Sequence, residues 1–335
     1  MRTASVRKLT VGFVAAGLVL TGCGTTADGG SASGSGGDEG PISGLRIMVP
    51  NSPGSGYDTT GRAWAQVLED EKLAESIEVF NLEGAGGTVG LQRLVNEDGN
   101  DKLLMQMGLG VVGAQYSNKS EATLDETTPV ARLIEEAEAI VVPADSPFQS
   151  MDDLVTAWKA NPGGTPVGGA SNPGGPDHLT PMLLAQAAGV TPTDVNYVAY
   201  DGGGELLAGI LGTDVAFAAT GIGEVAEPAA AGQVRILAVT TDEPVEGVDA
   251  PTLQDEGIDL TFTNWRGIVA PPGLDDDQTQ TFVDMVTEMH DSDAWQQVLT
   301  DQGWTDAFIT GDEFKTFLDD ESQRVEGVLG QLGLA

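Results

Sequence analysis

The sequence predicts an α/β protein of two lobes with a ligand cleft between them. Three observations lead to this. Short apolar runs alternate with amphipathic helical stretches, extended crossings separate two such sets, and glycine-rich turns repeatedly follow a strand and open a helix. Ligands of open parallel sheets sit beyond the carboxyl ends of the strands, where these turns lie.

The chain opens with Arg2, Arg7 and Lys8, then the apolar run Leu9 to Leu20, then Thr21, Gly22 and Cys23. A cationic start, a short apolar stretch and a small-residue cleavage site make a secretory signal. A cysteine directly after Thr-Gly makes residues 1–22 a lipoprotein signal, with Cys23 acylated and becoming the new N-terminus. The alternative is an ordinary signal peptide with an incidental cysteine. The apolar run is too short to span a bilayer, and two acyl chains suffice for stable anchoring. Residues 23–43 are largely Gly, Ser, Asp and Thr and read as a flexible tether. The expected location is extracytoplasmic, lipid-anchored through Cys23 to the outer face of the cytoplasmic membrane.

The first set of elements reads as a strand at 45–49, a helix at 58–73, a strand at 77–81, a helix at 88–95 and a strand at 102–107. After Thr128-Pro129 comes a buried-strand pattern at 139–143, and Ser150-Met151-Asp152-Asp153 resembles a capping box opening a helix to Lys159. The second set has strands at 165–168, 195–200, 214–219 and 234–240. Its helices fall at 179–188, 205–211 and 222–231. A strand at 265–270 returns the chain, and the tail from Gln278 reads as helical. The expected division is a leader (1–22), a tether (23–43), a first lobe (44–138 and 266–335) and a second lobe (139–265). No internal repeat is evident.

Composition removes several classes of function. The 335 residues carry 15 Lys+Arg against 51 Asp+Glu, a formal net charge of −36. Such a surface disfavours nucleic acid and anionic lipid headgroups, and it repels small anions, so an anionic ligand needs a local trap. Cys23 is the only cysteine, and acylation would exclude disulfides, thiolate catalysis and cysteine–metal sites. His178 and His290 are the only imidazoles, too few for a histidine-rich metal site. No cofactor is expected.

Four turns supply the trap: Asn51 to Asp58, Glu83 to Thr88, Ala170 to His178, and Asp201 to Glu205. Glycine lets backbone N–H groups approach a ligand, and a helix start leaves donors unpaired with a partial positive charge. Each turn taken singly also reads as tight connection geometry. No P-loop pattern is present. Gly108 to Gly113 matches GxGxxG and Gly221 to Ala226 matches GxGxxA, but neither follows the first strand of a lobe, which argues against a dinucleotide site. Gly169-Ala170-Ser171-Asn172-Pro173 nearly completes a GxSxG elbow, with proline in the final position and His178 nearby, so a cell-envelope hydrolase is a competing class. No carboxylate pair is marked out as an acid–base couple. Asp58 and Arg62, one helical turn apart, read equally as a surface ion pair or as a brace for the first loop. Trp265 reads as core packing or as cleft lining.

The ordered set of motifs resembles the extracytoplasmic solute receptors of tripartite tricarboxylate transporters. The residues that carry the resemblance are Val49-Pro50 with Pro53-Gly54 and Asp58-x3-Arg62, then Asn81 with Gly84-Ala85-Gly86-Gly87-Thr88-x-Gly90. His178, Val198-Ala199-Tyr200-x-Gly202, Leu237 to Thr240, Pro251-Thr252-Leu253, Trp265-x-Gly267 and Ala270-Pro271-x-Gly273 continue it. The resemblance implies a two-lobed periplasmic-binding-protein fold, type II-like, with parallel-rich sheets. It implies a binding protein rather than an enzyme, expected to be monomeric, that captures a small organic carboxylate for a permease of one large and one small membrane subunit. A receptor that reports its ligand to a membrane signalling kinase is the alternative.

Carried onto this chain, the resemblance places ligand contacts at Ser52, Pro53, Gly54, Ser55, Gly56, Tyr57 and Asp58, and at Gly84, Ala85, Gly86, Gly87 and Thr88. The opposing lobe would add Ala170, Ser171, His178, Tyr200, Asp201, Gly202 and Gly203. The chain departs from the family pattern at Ser55, Ala199 and Asp201, where a second glycine, a proline and a lysine are common, and it adds Pro173-Gly174-Gly175-Pro176. Losing that lysine argues against a highly charged tricarboxylate.

Overall fold

The structure is a computed structural model that describes residues 41–200 and 202–335. The signal, Cys23, most of the tether and Asp201 lie outside the described residues. The last tether residues form strand β1 (Ile42–Ser43), because Ile42 has an apolar cluster to pack against and the strand pairs with β3 (Ala74–Glu75).

The first half runs β2 (Arg46–Val49), α1 (Gly56–Asp70), β3, β4 (Glu78–Asn81), α2 (Thr88–Val95), β5 (Leu103–Gly108) and α3 (Leu109–Ser117). The chain then crosses on β6 (Thr128–Pro143), a strand of 16 residues. The second half runs α4 (Met151–Ala160), β7 (Val167–Gly169), α5 (Pro176–Ala188), β8 (Tyr197–Ala199), α6 (Gly203–Leu211), β9 (Phe217–Gly221), α7 (Ile222–Ala230) and β10 (Val234–Val239). Strand β11 (Thr263–Ala270) returns, followed by α8 (Asp276–His290), α9 (Asp293–Gln302), β12 (Thr305–Thr310) and α10 (Gly311–Gln331).

The two halves share one strand plan. In the first lobe the order is β4-β2-β5-β11-β6, and in the second it is β8-β7-β9-β6-β10. The three early strands of each half pair in parallel, as βαβ units require, and the crossing strand inserts antiparallel beside the third. Strand β6 belongs to both sheets. Residues Thr128 to Ala137 pair with β11, and from Glu138 onward the partners are β9 and β10. This is the two-lobed α/β architecture of periplasmic binding proteins, with mixed sheets.

Two expectations of local structure are corrected. The strand expected at 139–143 starts at Thr128, because Arg132, Glu135 and Glu136 interrupt its apolar pattern yet still pair in the ladder. The helical tail is interrupted. Gly303 (φ 66°) stops α9, and Thr305–Thr310 then pairs with β6 as β12. The expected cap at Ser150 is formed: its side chain accepts from Asp153 N, and Asp153 accepts from Gln149 N.

Each sheet is covered on both faces. Trp64, Leu68, Phe282, Val286 and Trp295 cover one side of the first sheet, and Met105, Leu94, Trp265, Phe314 and Leu329 cover the other. Burying side chains of this size contributes about 1.5–3 kcal/mol apiece. Leu179, Met182 and Leu183 of α5, from the second half, join that latter cluster beside α10, and Gln186 Nε2 donates to Gln331 Oε1 at 2.7 Å. The lobes are therefore joined by an apolar contact as well as by the crossing strands.

Candidate functional site

The first loop is organised by one carboxylate. Ser55 caps α1 by accepting from Asp58 N at 3.3 Å. Asp58, 4% exposed, accepts from Gly54 N at 2.9 Å, from Asn81 Nδ2 at 2.9 Å and from Arg62 Nε at 3.0 Å. The Arg62 hydrogen bond, with further bonds from Gly54 and Asn81, holds the Asp58 carboxyl down at about 2 against the opposing effect of burial. Arg62 also donates to Asn81 Oδ1 at 3.1 Å. The Asp58–Arg62 pair thus braces the loop and faces β4.

Backbone conformation shapes the second loop. Gly84, Ala85, Gly86 and Gly87 all have positive φ (142°, 48°, 63° and 101°). A Cβ on Gly86 would stand 2.7 Å from Ala114 Cβ, so the loop lies directly on α3. Asn118 Nδ2 donates to Ala85 O at 2.9 Å and fixes that approach.

The third loop is held by Asp177 and His178. Asp177, 7% exposed, accepts from Ala170 N and from Ser171 Oγ, both at 2.8 Å. His178 Nδ1 accepts from Gly174 N at 3.2 Å, and burial pushes the imidazole down to about 4, so the ring is neutral. Tyr197 Oη donates to Ser171 O at 2.7 Å, and its ring meets His178 edge-on at 4.9 Å. Ser171 Oγ points to a carboxylate and His178 to a backbone amide, so the serine–histidine couple that a hydrolase needs is not formed.

These three loops close on a cavity of about 800 Å³. Asn51, Gly56 and Tyr57 line it from the first loop, Ala85 and Gly86 from the second, and the whole stretch from Ala170 to Asp177 from the third. Ser52, Pro53, Gly54, Ser55, Asp58, Gly84, Gly87, Thr88 and His178 are not in the wall: Asp58, Gly87, Thr88 and His178 are buried beside it, Ser52 and Ser55 are half-buried, and Pro53, Gly54 and Gly84 are exposed. The described residues of the fourth turn do not reach the cavity. The Tyr200 ring lies on the backbones of Gly168 and Gly209, Gly202 is not in the wall, Gly203 stands behind Glu224, and Asp201 is outside the described residues. Two glycine turns set aside on sequence grounds do reach it. Gly110 at the start of α3 and Gly221 and Gly223 at the start of α7 are in the wall.

The crossing strands contribute what sequence reasoning missed: Glu136 and Glu138 from β6, and Asn264 and Arg266 from β11. A signal was available, since charged residues inside otherwise apolar strands are costly unless paired or functional. Arg266, 7% exposed, is ion-paired with Glu136 and donates to Thr60 Oγ1 at 3.0 Å. Its guanidinium lies under the start of α1, where a Cβ on Gly56 would come within 2.6 Å of Nη2. Tyr57 sets its hydroxyl on the backbone of Gly110 and Val111, and burial pushes it up to about 12. Arg266 is the one cationic side chain among the described lining residues, against Glu136, Glu138, Asp177 and Glu224. Trp265 belongs to the core: it is 1% exposed, and its Nε1 donates to Glu321 Oε2 at 3.1 Å. Among the described residues no group of His, Cys, Asp and Glu is arranged to hold a metal ion.

Comparison with known proteins identifies the family and the fold. The family model described as the tripartite tricarboxylate transporter family receptor matches residues 62–334. Protein BugT of Bordetella pertussis is 27% identical over 300 residues, covering 88% of this chain and 90% of its own. A TctC solute-binding protein from Polaromonas superposes with a TM-score of 0.73 at 22% identity, over 87% of this chain and 99% of that one. MatC of Rhodopseudomonas palustris, solved with bound malate, gives a TM-score of 0.69 at 22% identity, over 86% and 99%. The chain belongs to the tripartite tricarboxylate transporter receptor family, whose members are extracytoplasmic solute-binding proteins.

Proposed function

We propose that this protein is a lipid-anchored receptor that captures a small organic carboxylate and delivers it to a permease of one large and one small membrane subunit. The observation that carries the reading is the cavity itself. Backbone at the starts of α1 and α3 and at the Ala85–Gly86 turn from one lobe meets the 170–177 loop from the other, with Arg266 beneath. Helix starts and one guanidinium favour a carboxylate in an otherwise acidic molecule. The malate held by a family neighbour of the same fold supports the same class of ligand. Contacts with both lobes make the ligand bind the closed form more tightly than the open one, which supplies the signal a permease can read. The lipoprotein motif ending at Cys23 supports anchoring, with lobes divided near 138 and 265.

Expression of the full chain and its Cys23→Ser variant in a host with lipoprotein machinery tests the anchor. Wild type is expected in the membrane fraction with diacylglycerol on Cys23, and the variant in the soluble fraction. Calorimetry against a library of small carboxylic acids tests the ligand class. Failure of every acid to bind would refute the reading.

A further inference from the structure

The carboxylates around the cavity are not equivalent. Glu136 has Arg266, Asp177 has Ala170 N and Ser171 Oγ, and Glu224 accepts from Thr220 Oγ1 at 2.7 Å. Glu138 has nothing. It is 0% exposed, it lies in the cavity wall, and neither carboxyl oxygen has a hydrogen-bond partner. Buried polar groups without a partner are rare in folded proteins and call for an explanation.

Placement supplies one. Glu136 and Glu138 are two residues apart on β6 and so lie on the same face of the sheet. Glu138 stands opposite Gly221 in the ladder with β9, next to Thr220 and to the start of α7, which carries Glu224. Asp177 on α5 is close enough for its charge, with those of Glu224 and Glu136, to add to burial in raising the Glu138 carboxyl, with Arg266 alone opposing them. The second-lobe side of the cavity is therefore a concentration of acceptors, and Arg266, the one cation among the described lining residues, is already engaged by Glu136 and Thr60. A second carboxylate on the ligand would meet like charge there. A protonated nitrogen would find acceptors on several sides and would give Glu138 its missing partner.

We propose that Glu138, with Asp177 and Glu224, forms a cation subsite, and that the ligand of this receptor carries a protonated nitrogen at the end opposite its carboxylate. The carboxylate end lies against the first-lobe helix starts and Arg266, and the nitrogen end lies against β6 and α7. This rests on the carboxylate-receptor reading above and narrows it from organic acids in general to amino-carboxylates.

Calorimetry on the purified mature protein tests it with matched probes. These are ω-amino acids of two to six carbons, dicarboxylates of three to six carbons, and the corresponding diamines. An amino-carboxylate is expected to bind at least tenfold more tightly than the dicarboxylate of equal length. Glu138→Gln is expected to weaken the amino-carboxylate at least tenfold and to leave dicarboxylate affinity unchanged or improved. A melting temperature at or above wild type would show that the variant folds. Dicarboxylates binding best, or an amino-carboxylate indifferent to Glu138→Gln, would overturn the subsite and leave the carboxylate-receptor reading standing. Diamines binding best, or no probe binding, would overturn both.

Discussion

Replacing Gly113 by alanine should hold the cleft ajar. Gly113 lies on α3 in the first lobe, and a Cβ there would stand 1.8 Å from the carbonyl oxygen of Gly174 in the second-lobe loop. Ordinary contact begins near 3.4 Å, so the loop must retreat by roughly 1.6 Å. The loop cannot yield easily, because Gly174 N is tied to His178 Nδ1 at 3.2 Å and Gly174 already has φ of 95°. Overpacking of this kind costs about 1–3 kcal/mol. Here the cost falls on the closed form, where the two lobes touch, so it appears as ligand affinity lowered roughly 5- to 150-fold. Calorimetry with the best-binding acid measures this, with the melting temperature of the ligand-free variant as a check on folding. Unchanged affinity in Gly113→Ala would refute the idea that the 170–177 loop closes on α3 when ligand is held.

Other substitutions test other parts of the site. Gly86→Val puts a branched side chain at φ 63° and against Ala114, so binding should be abolished while the far-ultraviolet dichroism of the fold is kept. Asp58→Asn should destabilise the protein by about 1–2 kcal/mol at pH 7, a range reduced for the half-exposed Arg62. Because the Asp58 carboxyl sits lower in the folded state, wild type loses this stability as pH falls from about 4 to about 2, and melts across that range should show the two proteins converging. Glu138 runs the other way. Its carboxyl is raised by burial and by Asp177, Glu224 and Glu136, so its contribution is intact in acid and is lost as pH rises through the raised folded value. Glu138→Leu should therefore be more stable than wild type at pH 8, by about 1–3 kcal/mol in denaturant unfolding, with a smaller gain at pH 5.

Much of the fold was legible in the sequence because apolar period and glycine turns are local signals. The strands around Ile47, Val79 and Met105 and the helices after Ser55 and Ser150 read directly from them. Strand β12 was not legible, since Thr305 to Thr310 pairs only through contact with the distant β6. The site divided in the same way. Three of the turns named from glycine and helix starts border the cavity. Which of their residues face the cavity was not legible, because Asp58 and His178 turn inward to hold loop backbone. Tyr200 is outside the cavity wall because its ring packs on Gly168 and Gly209, a partner that spacing along the chain cannot reveal. Glu136, Glu138 and Arg266 were overlooked because they sit within strands that read as core, and their meaning depends on β6 and β11 lying side by side at the cleft.

Native mass spectrometry of the mature protein offered the acid library is the most direct measurement. One small carboxylic acid held per chain, released intact on activation and retained poorly by Arg266→Gln, would establish capture in the cleft between the lobes. Retention of no acid, or equal retention by Arg266→Gln, would contradict it.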